Sequence, residues 1–103
     1  MKIYRQGDVL IRKISRIPTE AKLKPQQDRI ILAFGESTGH AHAIYDLDNV
    51  EVFVGPEGQL YLQVKDETTL RHEEHAPIAI PRGNYERVLQ LEYTPQAIRN
   101  VAD

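Results

Sequence analysis

Apolar and polar residues alternate with period two along most of the chain, a spacing that predicts short β-strands rather than helices. Residues 8–14 mix β-branched and charged side chains as a half-buried strand does. Residues 16–27 hold Pro18 and Pro25 and predict a loop. Residues 29–34 read as a buried strand stopped by Gly35, residues 36–39 as a turn, and residues 40–45 as the next strand, closed by residues 46–49. Residues 50–54 and 59–65 flank Gly55-Pro56-Glu57-Gly58 and predict a hairpin, with Leu60, Leu62 and Val64 sharing a face. Residues 68–71 and 77–81 are two further short strands. Arg82-Gly83-Asn84 is a turn, and residues 85–93 form the longest strand, with Tyr85, Arg87, Leu89, Leu91 and Tyr93 on one side. Thr94 then reads as a helix N-cap with Pro95 at the first helical position, and Ala97, Ile98 and Val101 as the buried stripe of a short C-terminal helix. Seven to eight strands with a turn every eight to twelve residues predict an all-β fold, a single antiparallel sandwich or barrel.

A length of 103 residues with 41% hydrophobic content fits one domain over residues 1–103, able to bury a core without disulfides. No apolar run resembles a signal peptide or a membrane span, so the cytoplasm is the expected compartment. The net charge of −2 hides an asymmetry: residues 1–29 carry eight Lys/Arg against three acidic residues, a net +5, and residues 30–103 carry five against twelve, a net −7. A basic arm on an acidic body suits an acidic partner or a homodimer, although basic residues also defend strand edges against aggregation. The pI of about 6.1 argues against a nucleic-acid binder.

All four histidines fall in two tight pairs, His40-Ala-His42 and His72-Glu-Glu-His75, and there is no cysteine to compete for a metal. On a strand, His40 and His42 project to the same face and can converge on one ion. At a separation of three, His72 and His75 share a site only where their segment turns. Glu73 and Glu74 between them offer oxygen ligands, a base, or partners that orient an imidazole. The spacing is wrong for the His-Glu-x-x-His of helical zinc proteases. Four imidazoles with no thiolate suit Zn, Fe, Ni, Mn or Cu, and three of them would leave a coordination position open. The alternative reading is an exposed polar turn beside two hydrogen-bonded sheet residues.

Gly35, the His40-Ala-His42 segment and Asp46 resemble the first motif of the cupin superfamily of small β-barrels, with one residue fewer after the glycine and Asp where Glu is usual. Pro81-Arg82-Gly83-Asn84-Tyr85 resembles the second motif, with Glu86 standing where the last histidine belongs. The resemblance covers residues 35–86 and implies a cupin-like barrel with His40, His42 and Asp46 as ligands, completed by Glu86 or by His72 and His75. The chain also resembles small bacterial and phage-borne proteins that carry Gly-Glu-x-Thr-Gly-His-x-His and His-Glu-Glu-His-x-Pro, a likeness that transfers no activity.

No phosphate-binding glycine loop is present, and Ser37 or Thr38 beside His40 lacks a recognisable third group for nucleophilic chemistry. Paired histidines with Arg71, Arg82 and Arg87 would suit a phosphodiester, but the half of the chain that holds them is acidic. Tyr45, Tyr61, Tyr85 and Tyr93 fit sheet packing with hydroxyls at the surface. The leading expectation is therefore a protein that binds a divalent metal (Zn, Fe, Ni or Mn) through His40, His42, His72 and His75. Glu73 and Glu74 are the candidate catalytic groups acting on a small molecule. The rival is a non-catalytic, phage- or mobile-element-derived interaction module that uses the basic N-terminal region.

Overall fold

The computed structural model describes residues 2–35 and 39–89, and every described element is a β-strand. They are β1 (Ile3–Gln6), β2 (Val9–Ile14), β3 (Lys22–Leu23), β4 (Ile30–Phe34), β5 (Ala41–Ile44), β6 (Val50–Val54), β7 (Leu60–Val64), β8 (Thr68–Arg71), β9 (Ile78–Ile80) and β10 (Gly83–Leu89). Six of them form one sheet in the order β1-β2-β10-β7-β6-β3, and four form a second in the order β4-β5-β8-β9. All pairings are antiparallel.

The predicted alternation holds in the core. Val9, Ile11, Val50, Val52, Leu62, Val64 and Tyr85 from the larger sheet meet Ile30, Leu32, Ile44, Leu70 and Ile80 from the smaller one. Each of these side chains removes apolar surface from water, and together they form a single cluster shared by both sheets. Tyr85, fully buried, donates its hydroxyl to the carbonyl of Pro81 at 2.7 Å, so this tyrosine does not reach the surface as expected.

Several expectations need correction. The sheets do not close into a barrel: they remain two separate ladders, ending on β1 and β3 in one and on β4 and β9 in the other. The segment before Asp8 is a strand, because the Gly7-Asp8 loop folds β1 back onto β2, with Gln6 opposite Val9. Gly7 has φ 58° and, among the described residues, no non-glycine residue has positive φ, the pattern of a II′ hairpin turn. The predicted loop over residues 16–27 holds β3, which pairs with Val54 and Phe53 of β6. The last strand begins at Gly83, inside the predicted turn. The predicted C-terminal helix lies outside the described residues. Among the described residues, no helix is long and apolar enough to cross a membrane.

Candidate metal centre

β5 is buried along its whole length. Alternation sends His42 and the core residue Ile44 to one face and Ala41 and Ala43 to the other. A β-bulge in β4, between Ile31 and Ala33, sets Ala33 opposite His42, and such bulges re-aim side chains near sites. His40 precedes the strand, and its carbonyl accepts from the Gly35 amide at 2.8 Å.

The second pair arrives on the connection from β8 to β9. β8 pairs with β5 at Ala43–Arg71, so two residues further along the register Ala41 would face residue 73. There the Glu73 side chain replaces the ladder: Oε1 accepts the Ala41 amide at 2.9 Å. The backbone bends away over residues 73–75, and this turn brings His72 and His75 to the same site. Glu73 is held below the usual carboxylate range by the Ala41 amide and by its own backbone N–H, with a smaller contribution from His40 and His72.

The four rings meet around His72. Its centroid lies 4.3 Å from that of His42, 4.7 Å from His75 and 5.8 Å from His40. His42 and His75 are stacked at 5.7 Å with 21° between their planes. His42 is 5% exposed, His40 and His72 are half-buried, and His75 is exposed. Burial holds the His42 imidazole below the ordinary histidine range, and His72 and His75 push the same way. A neutral ring is the form that binds metals.

Gln6, at the end of β1, orients the innermost histidine. Its Nε2 donates to the carbonyls of Leu70 and Ala76, both at 3.0 Å, which tie the larger sheet to the smaller one. Both amide hydrogens are thereby used, so Oε1, 2.9 Å from His42 Nδ1, is the acceptor. Neutral His42 thus carries its proton on Nδ1 and keeps its lone pair on Nε2. His72 is held in the opposite sense: the Glu74 amide donates to its Nδ1 at 3.0 Å. Glu74 Oε1 also lies 3.3 Å from His40 Nδ1, although the two are not aligned as a hydrogen bond.

Two glycines make room for the rings. A Cβ on Gly7 would lie 2.9 Å from His75 Nε2 and 3.2 Å from His42 Cε1, and one on Gly35 would lie 2.8 Å from His72 Nε2. Among the described residues, two groups bring three ligand atoms within 4.8 Å of one another: His42, His72 and His75, and His40, His72 and Glu73. Nitrogens on a tetrahedral zinc lie about 3.4 Å apart, so either group must contract by up to about 1.4 Å to hold one.

The two ligands that only the cupin resemblance implied lie elsewhere. Asp46 accepts the Thr68 hydroxyl at 2.7 Å, and Glu86 pairs with Arg12 across the β10–β2 ladder. Gln6 and Gly7 were missed because the first strand was; the Gly-Asp step ahead of an alternating run was the available signal.

No curated protein and no solved structure matches the chain. Residues 5–90, which include both histidine pairs, Gln6 and both site glycines, match the family described as Domain of unknown function (DUF8820), and the chain belongs to that family.

Proposed function

We propose that this protein binds one transition-metal dication through His42, His72 and His75. The observation that carries the reading is the orientation of His42: a buried, neutral imidazole whose protonated nitrogen is held by Gln6, with its lone pair on the other nitrogen. Metal-binding histidines characteristically donate their second N–H to such an acceptor. Three imidazoles leave a coordination position open, which suits a metal acting as a Lewis acid or activating water on a small molecule. In that chemistry Glu74 is the freer base. Glu73 anchors the turn through the Ala41 amide, and His40 stands at the rim.

The ligand role of His72 requires a local change. With Nδ1 accepting from the Glu74 amide, the neutral ring carries its proton on Nε2. Coordination through either nitrogen therefore breaks that hydrogen bond or moves the proton.

Elemental analysis of the untagged protein, after incubation with Zn, Mn, Fe and Ni salts and desalting, tests the reading. About one ion per chain is expected, lost in the His40→Ala/His42→Ala double variant and in His72→Ala. A folded wild type that retains no ion from any of these salts overturns it.

A further inference from the structure

We propose that the cleft beside the histidine cluster binds a small carboxylate, with Arg71 and Tyr45 as the donors to its carboxyl group. This deepens the metal reading and rests on it for the anion's role as substrate or co-ligand, whereas the binding itself does not need the ion.

The cleft measures about 310 Å³ and is lined by Ala41, Tyr45, Arg71, His72 and Glu73. Small-molecule sites span about 300–1,000 Å³, so only a small ligand fits here. Ala41, on the face of β5 opposite His42, keeps the cleft open with a methyl group. Its donors are unspent. Among the described residues the Arg71 guanidinium has no hydrogen bond or ion pair, and its planar fork of N–H groups matches a carboxylate. The Tyr45 hydroxyl accepts from Arg29 Nη1 at 3.3 Å, which leaves its own proton to donate. The one carboxylate in the lining, Glu73, already has an oxygen committed to the Ala41 amide. Arg29, behind the Tyr45 hydroxyl, faces Asp28 and Glu73, so the fork of Arg71 is what suits the place to a monoanion. His72, the ring common to both metal-capable groups, forms one wall, so a ligand held by its carboxyl group would lie beside the cluster.

The test is a titration of metal-free protein, stripped on a chelating resin, with sodium propionate, followed by backbone amide NMR and repeated after zinc addition. Saturable shifts at Ala41, Tyr45 and Arg71 are expected in the metal-free protein. Arg71→Gln should weaken propionate at least about tenfold, and Tyr45→Phe, which keeps the ring, should weaken it about threefold. Both outcomes uphold the cleft even where the protein takes up no zinc. Zinc uptake without propionate shifts overturns the cleft and leaves the metal reading standing. Affinity unchanged in Arg71→Gln also overturns it, as do shifts confined to Lys65 and Arg82, which line a separate cleft of about 340 Å³. Inorganic phosphate binding more tightly than propionate at the same residues overturns the carboxylate assignment.

Discussion

Gln6 Oε1 lies 2.9 Å from Nδ1 of His42, and the same amide group donates to the carbonyls of Leu70 and Ala76. One side chain from the first strand therefore fixes the tautomer of the innermost histidine and ties the two sheets together at the mouth of the turn that carries His72 and His75. Gln6→Met keeps the bulk and removes all three bonds. It should cost about 1–3 kcal/mol in urea unfolding, because buried polar groups lose their partners. Zinc affinity, read by competition with a chromophoric chelator, should fall about 10–100-fold.

Gly7 and Gly58 both have positive φ, 58° and 83°, but only Gly7 faces the histidines. An alanine at either position meets the left-handed strain, about 1–2 kcal/mol. At Gly7 the new methyl also lies against His75 and His42, whereas at Gly58 it meets nothing within 4 Å. Both variants should lose stability in urea, and only Gly7→Ala should lose metal affinity. Equal affinities in the two variants would detach Gly7 from the site.

The metal-free protein should weaken on mild acidification. The His42 pKa is lowered on folding, first by burial and then by His72 and His75, so at pH values below the ordinary histidine value of 6.5 the unfolded chain binds the extra proton. Stability then rises with pH across the window from the lowered value up to 6.5 and is level above it. Glu73, also lowered, adds a loss in the same direction below 4.5. Urea titrations of wild type and His42→Phe at several pH values read this. The slope between pH 5 and 7 should shrink in the variant.

Zinc binding should disturb the Glu74 amide. That N–H donates to His72 Nδ1 at 3.0 Å, a bond that coordination by His72 breaks or reassigns. The Glu74 amide resonance should shift on zinc addition and exchange faster with deuterium, whereas the Ala41 amide, held by Glu73, should stay protected. An unmoved Glu74 amide in zinc-loaded protein would remove His72 from the ligand set.

Much of this fold was legible in the sequence because strand alternation is a local signal. The hairpin of β6 and β7 follows from period-two patterning, and the strands over residues 30–34 and 41–44 from short runs bounded by turn residues, although Phe34 at the end of the first is exposed. The first hairpin was not, since Tyr4 and Arg5 mask the alternation and only Gly7 marks the turn. Barrel closure depends on strand pairings distant in sequence, such as β10 inserted between β2 and β7, which no local pattern encodes. At the site, the clustering of histidines in the sequence anticipates that the four rings lie together, and the bend after His72 satisfies the condition that their spacing set. Gln6 escaped because a polar side chain reaching 36 residues along the chain to His42 leaves no trace in spacing.

The most direct test is anomalous diffraction at the zinc edge from crystals grown with zinc. One peak is expected, bonded to Nε2 of His42 and to ring nitrogens of His72 and His75, with His42 Nδ1 still on Gln6. A peak bonded to His40 and Glu73 without His42, or no peak within the histidine cluster, would contradict it.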